Sequence, residues 1–275
     1  MKIILSFFGD WNSEQLNLFT QNNIQVNKAH GLIEIQESDA NAALINLIRS
    51  WKIGFENCRT EYNKSDINKT TVFRLNGFNE IGYPQPEDSF EYIKSTYDTQ
   101  QYCDVCGIRK IQNHSIRICK EPNLKEKIFE LNWIADEFFV RKDIYQDVFF
   151  KYGIDKWDVL IHKTGKKSEN YFQLKIPIIE AEFVKYDFPI EKCKKCNRVK
   201  YIENVKGFFP ALKLANLKYH LFKTKDIFGV GGGAYNSIFI SKFLYNELLV
   251  QNIKPSVIPV DNDYNPVIST LSGSK

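Results

Sequence analysis

Four of the six cysteines stand in two Cys-x-x-Cys turns far apart in the chain: Cys103 and Cys106 in YCDVCGIRK (102–110), Cys193 and Cys196 in KCKKCNRVKY (192–201). Zn²⁺ takes four ligands in a tetrahedron and thiolate suits it. A Cys-x-x-Cys turn offers two sulfurs on one side of a tight loop whose backbone amides stabilise their negative charge. Gly107 follows the first pair and Asn197 the second, the two residue types that most readily take the left-handed backbone such knuckles use. The spacing therefore predicts one ion shared by Cys103, Cys106, Cys193 and Cys196. Four thiolates leave no coordination position for water, so the predicted zinc is structural. A thiol–disulfide redox pair is the weaker reading: such motifs open a helix after a strand, whereas GIRKIQ and NRVKYIE read as strands. Cys58, near the end of a helical stretch, and Cys119, in RICKEP, read as ordinary partly buried cysteines.

Other residues with chemical potential are less organised. FGVGGGAYNS carries the letters of the dinucleotide fingerprint, Gly229-x-Gly231-x-x-Ala234, but NSIFIS after it reads as a strand, and a phosphate site needs a helix N-terminus there. The loop reads as a flexible connection. Lys192, Lys194, Lys195, Arg198 and Lys200 crowd the second knuckle beside Tyr201. A basic, aromatic-bearing zinc ribbon suits nucleic acid, whereas the blander account has the lysines offsetting the thiolate charge. His30, His114, His162 and His220 have no partner resembling a triad or a His-Glu-x-x-His helix. Asp136-Glu137 precedes FFV, where a carboxylate pair is ordinarily solvated or in a turn. Nothing in these motifs announces catalysis or a substrate.

The elements that must position the cysteines follow from periodicity. With 275 residues, 43% hydrophobic and 14% aromatic, the chain buries a sizeable core in one large domain or two ordinary ones. KIILSFF, SEQLNLFTQ and IQVNKAHGLIEIQ read as strand, helix and strands, with Ser13 as helix cap and Asn22-Asn23 as stop. ESDANAALINLIRSWKI reads as a second helix with Ala43, Leu44, Leu47, Ile48 and Trp51 at helical spacing, capped by Ser38 or Asp39. TTVFRLNGF reads as another strand. The fold class expected is α+β, mixed sheets with packed helices, with an N-terminal α+β domain over 1–98 and a zinc-knuckle domain over 99–275. The first hundred residues hold 9 basic and 13 acidic side chains, the remainder 28 and 20. Cysteine usage suits a reduced compartment, with the cytoplasm as the expected location, and no apolar run approaches a membrane span.

The second domain reads as an internal duplication. FFVRKDIYQDVFFKYGIDKWDVLI begins at Phe138 and IFISKFLYNELLVQNIKPSVIPV at Ile238. Each gives a strand, then Lys142 or Lys242, Tyr145 or Tyr245, an amphipathic helix, a stop at Gly153 or Asn252, and a second strand, with one residue of offset placed after Asn252. A Cys-x-x-Cys knuckle precedes each copy. Two half-sites related by an approximate two-fold axis would bring the four cysteines to one ion.

Residues 100 to 260, through CDVCG, the second Cys-x-x-Cys, Asp226 before the glycine loop, IFISKFLYNELL and IKPSVIPV, resemble the double-CxxCG-motif proteins and related bacterial immunity proteins of polymorphic toxin systems. The first knuckle has the CxxCG form; the second departs from it at Asn197, and the acidic N-terminal domain has no counterpart. The resemblance implies a non-catalytic protein that binds a cognate toxin domain and blocks its active site in the cytoplasm of the producing cell. Two other classes stand beside it: a nucleic-acid-binding zinc-ribbon protein, and an enzyme whose site the sequence does not announce.

Overall fold

The computed structural model describes residues 1–27, 31–52, 55–184, 188–203, 206–213 and 218–261. It has mixed helices and sheets, the α+β class expected. The chain forms two compact units, Met1–Lys69 with Val205–Phe208, and Thr70–Asn204 with Phe209–Lys275.

The first unit runs β1 (Lys2–Phe8), α1 (Ser13–Gln21), β2 (Val26–Asn27), β3 (Leu32–Gln36), α2 (Ala42–Ser50), β4 (Phe55–Glu61) and α3 (Lys64–Lys69). Its sheet order is β2-β3-β1-β4, antiparallel throughout, so each strand–helix–strand crossover skips one strand, the connectivity of ferredoxin-like split units. Leu5, Phe7, Phe19, Ile33, Ile35, Ile45 and Ile48 make its core, with Trp11 and Trp51 packed against them. Asn12, one residue before Ser13, caps α1: its side chain accepts the Gln15 amide at 3.0 Å while the Gln15 side chain accepts the Asn12 amide at 2.8 Å, a reciprocal box that Ser13 cannot make from inside the helix. A 3₁₀ turn, Asp39–Asn41, precedes α2, and Ser38 makes no side-chain cap. Helix α2 turns Ile45 and Ile48 inward with Leu44 and Trp51 packed beside them, and leaves Ala43 and Leu47 exposed, so Leu44, Ile48 and Trp51 lie on the face expected and Ala43 and Leu47 do not. Cys58 lies on β4 instead of a helix, and Cys119 is exposed.

The second unit contains β5 (Val72–Gly77), α4 (Tyr92–Thr96), β6 (Tyr97–Asp98), β7 (Ile111–Gln112), β8 (Arg117–Ile118), β9 (Ile128–Leu131), β10 (Ile134–Arg141), α5 (Lys142–Ile144), β11 (Asp155–Ile161), β12 (Lys167–Lys175), β13 (Ile178–Ile179), β14 (Glu182–Phe183), β15 (Ile190–Lys192), β16 (Val199–Tyr201), β17 (Leu212–Lys213), β18 (Leu221–Phe228), β19 (Tyr235–Ser241), α6 (Lys242–Val250) and β20 (Ser256–Pro259). One sheet has the order β8-β11-β12-β10-β9; the other β15-β16-β18-β19-β5-β20, with β13 beside β18. The unit boundary falls after Lys69 and not near residue 98, because the buried strand β5 pairs with β19 and β20 from the far end of the chain.

Both proposed repeats have the order strand, helix, strand, and their registers coincide. Against β10, Phe139 faces Gln173 and Val140 faces Phe172 of β12; against β19, Phe239 faces Arg74 and Ile240 faces Phe73 of β5. On the other side Phe129 stacks on Phe139 at 5.1 Å, and Phe222 on Phe239 at 5.5 Å. Lys142 and Lys242 lie over Phe172 and Phe73, and Tyr145 and Tyr245 pack on the same two rings at 5.4 and 4.7 Å. The order β9-β10-β12-β11 thus matches β18-β19-β5-β20, and β5, from before the first copy, fills in the second the place that β12 fills in the first. The one-residue offset sits inside the helix: after α5 the chain makes a π turn, Tyr145–Phe149, and a 3₁₀ turn, Phe150–Tyr152, whereas α6 is α-helical throughout. A π turn accommodates one inserted residue, so the offset precedes the stop and does not follow Asn252. Gly153 (φ 66°) and Asn252 (φ 54°) both end their helices in left-handed backbone.

Candidate metal centre

The two knuckles meet. The Sγ atoms of Cys103 and Cys193 are 3.9 Å apart, those of Cys106 and Cys196 3.6 Å, and all four lie within 4.8 Å of one another. None forms a disulfide. Each knuckle closes through the same pair of backbone bonds: Gly107 N to Cys103 O at 2.8 Å and Cys103 N to Ile108 O at 3.1 Å, Asn197 N to Cys193 O at 2.9 Å and Cys193 N to Arg198 O at 2.8 Å. Gly107 has φ 76° and Asn197 φ 61°, the left-handed positions expected of them. Amides of Cys106 and Val105 aimed at the Cys103 sulfur draw its pKa down to about 6, and those of Cys196 and Lys195 lower Cys193 in the same way. Cys103, Cys106 and Cys193 are buried, with Ile108, Ile227 and Ala234 around them. Burial instead pushes the Cys106 thiol up to about 12, against a single amide donor from Ile108. Four converging sulfurs, three of them buried and supplied with N–H donors, form a set that can hold one metal ion.

The glycine run is the hairpin loop between β18 and β19, so a strand follows it and no helix N-terminus is available for phosphate. Its role here is packing. A side chain on Gly107 would strike the Gly232 carbonyl, so glycine there lets the hairpin loop close on the first knuckle. From the second knuckle, the buried Lys200 Nζ donates to the carbonyls of Gly233 (3.0 Å) and Gly231. Two of the other basic residues are also engaged: Lys195 pairs with Asp104 across the two knuckles at 2.6 Å, and Arg198 donates to the Gln101 carbonyl at 2.7 Å. Lys192 and Lys194 are exposed.

Several polar groups that the sequence left unremarkable lie inside the second unit. Asp136 and Glu137 are within β10, not before it. Lys223 on β18 pairs with Glu137 at 2.7 Å and Asp136 at 3.4 Å, Gln173 donates to Glu137 at 2.8 Å, and the Asn236 amide donates to Asp136 at 3.0 Å. Burial alone would lower the Lys223 amine, but the two carboxylates outweigh it and hold it charged. Asp136 and Asn236 each stand two residues before their copy begins, and this bond joins β19 to β10. A cavity of about 260 Å³ adjoins the cluster, and a larger cleft of about 1130 Å³ runs between the glycine loop and Trp133. The available signal was a charged residue at an inward position of an apolar strand, as Lys223 is in LFKTKDIF. His220 Nδ1 meets Ser241 Oγ at 2.7 Å, but Ser241 is fully buried and its oxygen already takes the Leu244 amide as the cap of α6. His114 is exposed, His162 half-buried, and His30 lies outside the described residues.

Among the described residues no helix is long and apolar enough to cross a membrane. Compared with protein-family models, curated proteins and solved structures, the chain matches none.

Proposed function

We propose that the chain is a metal-stabilised binding protein of the immunity type: it holds one structural zinc and neutralises a cognate bacterial toxin domain in the cytoplasm without catalysis of its own. The observation that carries the zinc assignment is the sulfur geometry. A tetrahedron with Zn–S of about 2.3 Å has S···S edges of about 3.8 Å, against 3.9 and 3.6 Å for two of the pairs here and all pairs within 4.8 Å. The four thiolates fill that tetrahedron, so the ion offers no Lewis-acid position. It clamps one knuckle from each half of a duplicated unit, which is a structural task. The toxin-neutralising role rests on the resemblance of the double Cys-x-x-Cys pattern to immunity proteins. The nucleic-acid alternative loses much of its electrostatic footprint, because Lys195, Arg198 and Lys200 are engaged within the fold.

Two experiments test the reading. Metal analysis of protein purified without chelator is expected to find one zinc per chain, and replacing any one of Cys103, Cys106, Cys193 and Cys196 by Ser is expected to remove it. Structural zinc contributes to folding free energy; a loss of about 3 kcal/mol lowers Tm by about 6–12 °C in a domain of this size. A metal-free, fully stable protein would overturn the zinc assignment. Co-expression with the product of a neighbouring toxin-like gene should restore growth and give a complex. Failure to do either, alongside nucleic-acid affinity that falls steeply with salt, would replace the immunity reading.

A further inference from the structure

Trp133 is the second residue of the two-residue loop Asn132-Trp133 joining β9 to β10, and its φ is 69°. Glycine or asparagine is the default at such a position, because a bulky L side chain there is strained. Ser89 (φ 49°) and Phe90 (φ 57°) are left-handed as well, just before α4. The strained segments converge: the Phe90 and Trp133 rings are 4.6 Å apart, Tyr83 lies 4.5 Å from Trp133 on another side, and Tyr92 stacks behind at 6.1 Å. This strain does not serve burial, since Trp133 is 43% exposed and Phe90 51%. Both line the large cleft. Large aromatics held outward in conformations that glycine would take freely are the mark of a recognition surface.

Charge selects the occupant. The stretch 78–98, which carries Tyr83, Phe90 and Tyr92, holds five carboxylates, Glu80, Glu87, Asp88, Glu91 and Asp98, against the single Lys94. Glu80, Glu87, Asp88 and Glu91 are exposed, and among the described residues none of these four is in an ion pair. The cleft wall itself is balanced, with Glu80, Asp104 and Glu203 against Lys94, Lys110 and Lys195, and Lys195 is tied to Asp104; Glu87, Asp88 and Glu91 stand outside that wall, exposed on either side of Phe90 in the chain. At about 1130 Å³ the cleft is larger than ordinary small-molecule pockets, roughly 300–1,000 Å³.

We infer that this aromatic rim, with Glu87, Asp88 and Glu91 flanking Phe90, is the docking site for a basic segment of a partner protein, an arginine or lysine side chain lying against the exposed parts of Trp133 and Phe90 while its neighbours pair with Glu87, Asp88 and Glu91. Cation–π contact with tryptophan and complementary rim charge supply the two components. The inference rests on the binding-protein reading and names the chemistry of the partner.

The test titrates the full chain with a short peptide alternating glycine and arginine, and with its glutamate counterpart, following tryptophan fluorescence and heat. The arginine peptide should bind at least about ten-fold tighter, since wrong-charge partners are rejected strongly. Trp133→Asn removes the ring and suits the left-handed backbone; it should weaken the arginine peptide about five-fold or more with Tm preserved. The surface variant Glu87→Gln/Asp88→Asn/Glu91→Gln leaves the rings in place and should weaken it similarly, so the test survives if Trp133→Asn fails to fold. Equal affinity for both peptides, preference for the glutamate peptide, or unchanged affinity in the charge variant would overturn the inference. These titrations need no cognate toxin, so they stand whether or not the co-expression experiment succeeds. A toxin that binds both variants normally overturns this site while the binding-protein reading stands.

Discussion

Gly107 shows how much one atom decides. Its φ of 76° and the Gly232 carbonyl beside it both exclude a side chain, so Gly107→Ala should destabilise by about 2 kcal/mol or more, or about 4–8 °C in Tm. Asn197→Gly, at the matching place in the second knuckle, should stay within about 1 kcal/mol of the parent. Thermal melts of the two variants side by side check the contrast. Glu130 gives a pH prediction. Burial pushes its pKa up to about 7 from 4.5, opposed in part by the Phe78 amide, which donates to its carboxylate, and Gly77 leaves the room it occupies. The folded state therefore holds a proton that the unfolded chain has released, and this contribution to stability is present below pH 4.5 and lost as pH rises through 7. Glu130→Gln should abolish that slope, leaving the variant more stable than the parent at pH 8 by a few degrees and no more stable at pH 4.5. Melting curves between pH 4.5 and 8 decide it.

At the level of elements the duplication is the organising fact. Lys142 and Lys242, Tyr145 and Tyr245, and the helix stops at Gly153 and Asn252 were legible because they recur at nearly constant offset, and their partners Phe172 and Phe73 explain why: each lysine and tyrosine packs on one ring of the neighbouring strand. The two copies should then respond alike to equivalent damage. Phe129→Ala and Phe222→Ala each remove one ring of a fully buried stacked pair. Both should cost about 3–5 kcal/mol and agree within about 1 kcal/mol, as read by denaturant unfolding. What was not legible is that β5 belongs to the second copy. No local pattern in VFRLNG says that its partner strands lie at 235–241 and 256–259, since strand pairing is decided by whichever edge buries its apolar face.

For the whole molecule, every cysteine ligand and both repeat sheets fall in the unit built from Thr70 onward. A chain beginning at residue 70 should therefore still bind one metal ion, measured by metal analysis after gel filtration, whereas a chain beginning at residue 99, the boundary expected from sequence, lacks β5 and should not fold. The knuckles, the left-handed residues after them, the helix stops, the repeat and the α+β class could be read from the sequence because each depends on neighbours within a few residues, where chirality, ligand chemistry and periodicity act directly. The convergence of knuckles ninety residues apart was inferred from the repeat, and the four sulfurs do converge. Only the tertiary structure decided which strand completes the second sheet, that Asp136 and Glu137 enclose Lys223, that Lys200 serves the glycine loop, and that Trp133 and Phe90 share one rim. The free energy of burying a charge or exposing a ring depends on what the rest of the chain brings beside it, and neither composition nor spacing contains that.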